Sequence, residues 1–375
     1  MTDKTPEQLR REKFGLENDP LAKKSEEFIE IEEEHGVADP LDEYIEKIQE
    51  KATNNVDGTI GHYERTFRQW RDHMEEEGRH PACPHKNHVL RFIDYWIEEG
   101  NKPSTVRKKV ERIENAYTWW QADSEFPHDS EYNPISAATK ERYLKDDADP
   151  KYQTKKSPKV SLDEIREVVQ GIEDVADRGI VGLQLKLGCR SSELANIKLS
   201  EIHIDHPDVL EYYPEMGSHE MLEGRPNAVI IPHDRELNKR ARPTVLPLDE
   251  ESRKLLIDWL LVRPDTGDEW LFMTHKGNQL NRTDIRYIWT QYWWPEYEFD
   301  EDGEYRSVVP HFARHRFGTF WKSDLDGVNR EHVKYMRGDK TDTSVGRAHD
   351  ALDHYVHTYY EDIEQLYEKM YQLYV

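Results

Sequence analysis

The sequence is poor in cysteine and contains no long apolar run. Its 375 residues include two cysteines, Cys83 and Cys189, which lie far apart and suggest no disulfide framework. No uninterrupted apolar stretch approaches the roughly 20 residues that span a bilayer, and the first residues lack the apolar segment of a secretion signal. These absences favour a cytoplasmic protein without a membrane partner.

Basic residues are also in short supply. The chain has 52 Lys and Arg against 76 Asp and Glu, for a net charge of −24 at pH 7. Such a surface normally argues against a nucleic-acid partner. In molar salt, however, the Debye length falls to roughly 3 Å, so only close contacts count. We therefore interpret the composition as halophilic, with an ordinary acidic protein as the alternative.

Aromatic residues, in contrast, are plentiful, and 10 Trp, 20 Tyr and 10 Phe argue against a fully disordered chain. The length favours two domains at about 150 residues each. Composition suggests the following division: an acidic extension at 1–39, a helical domain at 40–125, a linker rich in Pro, Asp, Asn and Ser at 126–159, and a second domain at 160–375.

Residues 51–125 are almost neutral, with 12 basic and 13 acidic side chains. Apolar residues at helical spacing predict helices at 59–77, 88–98 and 104–120, the last one capped by Ser104. Basic residues lie off the apolar stripes: Arg65, Arg68 and Arg71 on the first helix, and Arg107, Lys108 and Arg112 on the third. These faces fit a polyanion, although an ordinary solvated helix surface has the same pattern.

The second half of the chain mixes helices with two short β-branched segments. NAVIIP and RPTVLPL flank a polar connection, the pattern of a small antiparallel hairpin. Helical segments are predicted at 176–187, 250–262, 282–294, 311–323 and 350–372. The predicted fold class is therefore mainly α with a small antiparallel β-sheet, an α+β fold.

The segment HPACPHKNH contains His80, Cys83, His85 and His88 and invites a zinc interpretation. Zinc sites usually pair their ligands at regular C-x2-4-C or H-x3-5-H spacing. One cysteine among three histidines in a turn interrupted by proline does not match. We therefore predict a polar loop between helices and no metal site.

Two motifs with basic residues indicate anion binding or catalysis. In LGCRSSEL, Arg190 lies in a tight turn before a helix, where free N–H groups favour anions. In PHFARHRFGTFW, His311 and Arg314 lie three residues apart on one helix face. A cationic fork beside a titratable imidazole suits phosphoryl transfer. Each motif alone also fits a surface arginine or a structural histidine.

A cluster of tyrosines follows in YVHTYYEDIEQLY, with Tyr355, Tyr359 and Tyr360 close together. Tyrosines on a C-terminal helix usually pack. A tyrosine becomes a nucleophile only when its phenol lies beside cations and an in-line phosphate.

Taken in order, these motifs resemble those of the tyrosine recombinases of the phage-integrase and Xer type. GCRSSEL resembles the first arginine box of that family, and PHFARHRFGT resembles its P-H-x-L-R-H-x-F-A-T box. NKRARPTVLPL resembles the lysine hairpin and contains Lys239 eight residues before Pro247, and YVHTYY resembles the nucleophile box Y-x-H. The resemblance covers roughly residues 40–372, and with the acidic composition it indicates a halophilic archaeon, or its virus or plasmid, as the source.

The resemblance implies a core-binding domain followed by a catalytic domain, which together clamp double-stranded DNA. It implies that Arg190 and Arg314 hold one phosphodiester, that Tyr355 attacks phosphorus, and that Lys239 and His311 handle protons. Arg65, Arg68, Arg107 and Lys108 are the expected DNA contacts of the first domain. The expected product is a 3′-phosphotyrosyl ester, formed without cofactor, metal or small-molecule substrate. By the same resemblance, four protomers assemble on DNA.

The sequence departs from the family pattern near the nucleophile. RGD places Asp339 where the family usually has His or Trp, and a carboxylate there would repel phosphate. We therefore expect Asp339 to orient another residue, with Lys340 or His349 supplying the missing group. The spacing from Asp339 to Tyr355 is also longer than usual, so Tyr359 is the alternative nucleophile.

Three other functions are consistent with parts of the sequence. A type IB topoisomerase-like nicking-closing enzyme uses similar residues as a monomer. A catalytically inactive DNA-binding relative would explain Asp339. An acidic helical interaction module would not bind DNA, but the basic helix faces of residues 51–125 argue against it.

Overall fold

The structure is a computed structural model of the full chain. It describes residues 21–35, 39–51, 57–123, 126, 128, 130, 132–142, 144, 155–294, 296–298, 305–340 and 360–374. The predicted nucleophile Tyr355, its alternative Tyr359, and His349 lie outside the described residues.

The chain divides into two compact units, residues 1–154 and residues 155–375. The division falls inside the segment predicted as a linker, residues 126–159. Part of that segment is nevertheless folded, because a helix at Pro134–Glu141 buries Ile135 and Ala138 in the first unit.

The first unit is helical in its described part. Its helices are α1 (Ala22–His35), α2 (Pro40–Lys51), α3 (Asp57–Glu76), α4 (Lys86–Glu98), α5 (Pro103–Ala122) and α6 (Pro134–Glu141). The residues predicted at helix spacing form the core, since Phe67, Trp70 and Met74 of α3 are fully buried. They pack in one cluster with Val110 and Ile113 of α5. Burial of this apolar stripe explains why a helix of polar composition is stable here.

Helix α5 begins one residue before the predicted cap. Pro103 is the first helical residue and Lys102 precedes it without a side-chain cap, so the prediction of Ser104 as cap is wrong. Proline suits the first helical position because its missing N–H would have no partner there.

The histidines of HPACPHKNH make hydrogen bonds within the loop. His85 Nδ1 accepts from the Asn87 backbone N–H at 3.2 Å and caps α4, while His88 Nδ1 accepts from the His85 backbone N–H at 3.0 Å. His80 Nδ1 accepts from Ala82 N–H at 3.1 Å. Within the described parts of the chain, no three His, Cys, Asp or Glu side chains cluster as metal ligands.

The second unit combines helices with a small sheet. Its elements are α7 (Leu162–Gln170), α8 (Val175–Leu187), α9 (Ser191–Ala195), β1 (Ile202–His203), α10 (Pro207–Tyr212), β2 (Ala228–Ile231), β3 (Thr244–Pro247), α11 (Glu250–Leu260), α12 (Arg282–Trp293), α13 (His311–Thr319) and α14 (Arg330–Arg337). A π-helical turn at Phe320–Asp324 continues α13, and residues 360–367 are helical. No helix in the described ranges is both long and apolar enough to span a membrane.

The sheet confirms the predicted hairpin and adds a strand. Its order is β1-β2-β3, with both pairs antiparallel, and Val229 pairs with Leu246 on one side and Ile202 on the other. The polar connection between β2 and β3 carries Lys239. The mainly helical fold class with a small antiparallel sheet is thus confirmed.

Helix α8 lies at the centre of the second unit and packs against α11 and α13. Gly182 permits the contact with α11, since a Cβ at this position would lie 2.6 Å from Leu255 Cδ1. Lys186, fully buried near the end of α8, donates to Asp249 Oδ2 at 2.7 Å and to the Tyr371 carbonyl at 2.6 Å. The C-terminal residues are therefore tied to the helix that leads into the Arg190 turn.

Candidate active site

Arg190 is positioned by a sharp turn after α8. Gly188 ends the helix in the left-handed conformation at φ +59°, and a Cβ there would lie 2.5 Å from the Phe317 ring. Only glycine combines that backbone conformation with so close a contact. The turn places Arg190 immediately before α9 and next to α13, which carries Phe317.

A buried carboxylate fixes the direction of Arg190. Glu193 accepts the Arg190 backbone N–H at 2.8 Å and Arg190 Nη1 at 2.7 Å. Burial would raise the pKa of Glu193, but the charges of Arg240 and Arg190 outweigh it and lower that pKa. Glu193 is therefore ionised at neutral pH and holds one edge of the Arg190 guanidinium through Nη1.

Arg314 lies on α13 and is 2% exposed. Its Nη1 donates to the Gly188 carbonyl at 3.0 Å, and its Nη2 donates to the Arg337 carbonyl at 2.8 Å and to Asp339 Oδ1 at 2.7 Å. Burial, together with the nearby charge of Arg190, lowers the Arg314 pKa to about 10. The group still carries its proton at neutral pH, so the site holds a preorganised buried cation.

His311 lies one helical turn before Arg314. Its ring packs edge-on against His315, with the ring centroids 4.5 Å apart. Desolvation and the charges of His315, Arg314 and Arg190 lower the His311 pKa from its ordinary value of 6.5. His311 is therefore neutral at pH 7 and able to accept a proton.

Lys239 is exposed in the β2–β3 connection. Its carbonyl accepts from Arg190 Nη1 at 3.2 Å, so the connection is tied to the arginine turn. Next to it, Arg240 is buried, with its Nε 3.4 Å from Glu193 Oε2. The lysine ammonium makes no ion pair within the described portion of the chain.

Asp339 follows α14 and meets three arginines. Its Oδ1 lies 2.7 Å from Arg314 Nη2 and 3.9 Å from Arg190 Nη2, and its Oδ2 lies 3.2 Å from Arg337 Nε. Asp339 thus contacts both arginines of the predicted site, and its role in orienting another residue stays a prediction. Lys340, one of the expected substitutes, is exposed.

An open cleft of about 500 Å³ adjoins the arginine turn. Arg190, Ser191 and His311 line one part of it, and Arg282 and Arg286 of α12 line another. The cleft therefore combines three guanidinium groups with a neutral imidazole, a composition that suits an extended phosphate-bearing ligand.

The predicted basic faces of the first unit lie on its surface. Arg65 and Arg68 of α3 and Arg107 and Lys108 of α5 are exposed, and Arg107 forms an ion pair with Glu111 at 3.3 Å. Arg71, which shares the α3 face by spacing, instead binds Asp39 at 2.5 Å and Asp42 at 2.6 Å.

Sequence reasoning did not single out Arg240, Arg337 or the role of Glu193. Arg240 lies directly beside Lys239 in NKRARP, and Arg337 lies directly before the Gly-Asp pair that marked a departure from the family motif. In both cases the only signal in the sequence is the position of the arginine next to a motif residue. The burial of Arg240 against Glu193, 47 residues away in sequence, depends on tertiary structure.

Comparisons with known proteins place part of this chain among recombinases. Residues 159–321 match the model of the phage integrase family. The tyrosine recombinase XerC of Staphylococcus carnosus (strain TM300) is 20% identical over 282 residues, which cover 74% of this chain and 78% of that protein.

Solved structures show the same fold. The Tn1549 transposon integrase in complex with transposon right end DNA matches with a TM-score of 0.55 and 17% identity, over 88% of this chain and 99% of that one. A lambda integrase dimer bound to a COC′ core site matches with a TM-score of 0.56 and 14% identity, over 81% of this chain and 74% of that one. A lambda integrase tetramer bound to a Holliday junction matches with a TM-score of 0.54 and 14% identity, over 83% and 79%.

Proposed function

We propose how this chain, a site-specific tyrosine recombinase of the phage integrase family, performs its reaction: Arg190 and Arg314 bind one phosphodiester of double-stranded DNA, and Tyr355 attacks its phosphorus. The observation that supports this best is the convergence of the two arginines on one anion, with Asp339 Oδ1 2.7 Å from Arg314 and 3.9 Å from Arg190. Two guanidinium forks aimed at one point suit the non-bridging oxygens of a phosphate.

The arginines stabilise the charge that develops on phosphorus in the transition state. Arg314 is held by two backbone carbonyls and Arg190 by Glu193, so neither must reorganise during the reaction. Donors fixed in this way contribute more than mobile ones.

His311 and Lys239 carry out the proton transfers of the reaction. The neutral His311 assists removal of the phenol proton of Tyr355, and the ammonium of Lys239 protonates the departing 5′-oxygen. The 3′-phosphotyrosyl ester conserves the energy of the broken bond, so the reaction needs neither a nucleotide cofactor nor a metal. The reverse attack by a 5′-hydroxyl rejoins the strand.

Double-stranded DNA is the proposed substrate, with Arg65, Arg68, Arg107 and Lys108 contacting its backbone. The matched integrase structures were determined with DNA, one of them as a tetramer on a Holliday junction, which supports four protomers here as well. We further assign the protein to integration of a mobile element in the cytoplasm of a halophilic archaeon. Its acid excess and its similarity to transposon and phage integrases support that assignment.

A randomised pool of nicked duplexes tests the reaction on many candidate target sequences at once. Cleavage near a nick releases a short strand that cannot return, so the protein remains bound to DNA in denaturing gels. We expect adducts that enrich one sequence, and joining of strands between two copies of it. An absence of adducts despite DNA binding would identify an inactive relative, and adducts without joining would identify a nicking-closing enzyme.

A further inference from the structure

An acidic side chain already occupies the point on which the arginines converge. Asp339 Oδ1 accepts from Arg314 Nη2 at 2.7 Å and lies 3.9 Å from Arg190 Nη2. The two guanidinium groups assigned to the DNA phosphate thus share a carboxylate oxygen of the protein itself. A carboxylate and a phosphodiester both offer anionic oxygens to a guanidinium fork.

Arg314 does not depend on Asp339 for its position. Its Nη1 donates to the Gly188 carbonyl at 3.0 Å, and its Nη2 also donates to the Arg337 carbonyl at 2.8 Å. Two backbone acceptors therefore hold the guanidinium when the carboxylate leaves.

The backbone of Asp339 is fixed, whereas its side chain is partly exposed to solvent. Gly338 adopts φ +66°, and the side chain of Arg240 fills the space in which a Cβ would lie, with Cγ at 2.6 Å. The Gly338 carbonyl also accepts from Ala241 N–H at 2.9 Å. The Asp339 side chain itself is 32% exposed.

Arg337 offers the carboxylate a second position. Its Nε lies 3.2 Å from Asp339 Oδ2, yet this buried N–H makes no hydrogen bond to any residue that the structure describes. Rotation of Asp339 toward Arg337 would satisfy that donor and would free Arg314 and Arg190 at the same time.

We propose that the Asp339 carboxylate occupies the phosphate site of the resting enzyme and moves onto Arg337 when the scissile phosphate binds. This inference rests on the proposed function of Arg190 and Arg314. The carboxylate neutralises a cluster that also contains the buried Arg240 and that has Glu193 as its other close anion among the described residues. It stabilises the empty site and competes with the substrate.

Inorganic phosphate serves as the probe, because it needs no target sequence. Melting curves of the full chain are recorded at constant ionic strength with increasing phosphate, for the wild type and for Asp339→Asn, which keeps the shape and removes the charge. A ligand at free concentration L that binds only the native state stabilises it by RT ln(1 + L/Kd), so at a given concentration the tighter ligand raises Tm more. We expect Asp339→Asn to melt at a lower temperature without phosphate and to bind phosphate about tenfold more tightly, since a competing anion is gone.

Asp324→Asn is the matched control. Asp324 accepts from Arg316 Nη1 at 2.7 Å and its side chain is 38% exposed, close to the values for Asp339, but it lies outside the arginine cluster. Its loss should lower Tm without changing phosphate affinity. Equal or weaker phosphate binding by Asp339→Asn would overturn the proposal.

Arg337→Gln provides a second variant. It removes the alternative position for the carboxylate, so phosphate binding should weaken in the wild-type background and stay unchanged in the Asp339→Asn background. Equal effects in both backgrounds would contradict the movement of Asp339 onto Arg337, because independent residues contribute additively.

The adduct assay separates this inference from the proposed function. Tighter phosphate binding by Asp339→Asn without any DNA adduct from the wild type would support the internal anion and refute the recombinase reaction. Adducts from the wild type with unchanged phosphate affinity in Asp339→Asn would support the recombinase reaction and refute the role of Asp339 as an internal anion.

Discussion

The cationic side chains of the two units differ in how the protein holds them. In the first unit, Arg65 and Arg68 lie exposed on the outer face of α3. In the second unit, Arg314 is 2% exposed and bound to Asp339 and two carbonyls, and Arg240 is buried against Glu193. The exposed arginines can attract an anion through their charge, and such contacts are sensitive to salt. The buried arginines can instead bind an anion at one fixed position.

The difference bears on how an acidic protein recognises a polyanion. Exposed charges further apart than a Debye length are screened, whereas buried pairs are screened far less. We therefore expect the interactions of the fixed arginines to persist in concentrated salt and those of the surface arginines to weaken. Each prediction below tests one side of this comparison.

The largest effect is expected from the fixed arginines. Arg314→Ala and Arg190→Ala should each slow covalent cleavage by about 10²–10³-fold, since a preorganised donor is lost. Arg314→Ala should also lower Tm, because it leaves Gly188 and Arg337 carbonyls without this donor, while Arg190→Ala should lower it less. Suicide-duplex kinetics and melting curves measure the two quantities. Equal losses of DNA binding and cleavage would point to a structural role instead.

A pH effect follows from His311. Its lowered pKa keeps the ring neutral as the pH falls through the ordinary value of 6.5, so wild-type cleavage should persist below that pH. The same shift makes the folded state bind fewer protons than the unfolded chain. The neutral His311 ring therefore contributes to stability at pH values above its ordinary pKa. That contribution is lost as the pH falls toward the lowered pKa of the folded state.

The pH–rate profile of covalent cleavage checks the assignment. His311→Gln should remove the acidic limb and lower the rate at neutral pH. His315→Gln should move the limb to higher pH, since the charge of His315 contributes to lowering the His311 pKa. An unchanged limb in His311→Gln would assign it to another group.

A smaller effect is expected from the exposed arginines. Arg65→Ala and Arg68→Ala should each reduce the slope of log affinity against log salt by about 0.9, as each removes one phosphate contact. Cleavage at saturating DNA should not change. Arg71→Ala is the control on the same helix, because Asp39 and Asp42 already occupy that guanidinium. A full change of slope in Arg71→Ala would contradict the distinction between Arg71, which is bound by two aspartates, and the exposed Arg65 and Arg68.

The smallest effect is expected from salt concentration, which should change Tm by a few degrees. The acidic excess of 76 over 52 residues predicts that stability rises from about 0.1 M to 1 M KCl, as the Debye length falls from about 10 Å to 3 Å. Circular dichroism melts over this range measure it. A steady fall of Tm with salt would refute the halophilic assignment and leave the recombinase assignment unaffected.

Local patterns predicted most of the helices. The stripe of Phe67, Trp70 and Met74 fixes α3, since all three side chains are fully buried. The hairpin followed from β-branched residues. Strand β1 has only two residues, too few for an alternating pattern. The eight residues of α14 do carry an amphipathic pattern, which the sequence analysis did not pick out.

The arrangement inside the site could not be predicted in the same way. The sequence indicated that Asp339 is unusual, but not that it meets Arg314, Arg190 and Arg337. Those contacts join residues from the α8–α9 turn, α13 and the end of α14. They depend on the packing of α8 against α13, which no local pattern encodes.

Identification of the peptide that remains linked to DNA shows directly which residue attacks phosphorus. After trapping on the nicked pool, the adduct is digested with protease and nuclease, and the modified residue is located by mass spectrometry. We expect a nucleotide on Tyr355, with no adduct from Tyr355→Phe and normal DNA binding by that variant. A nucleotide on Tyr359 would contradict the assigned register, and a nucleotide on no tyrosine would contradict the recombinase reaction itself.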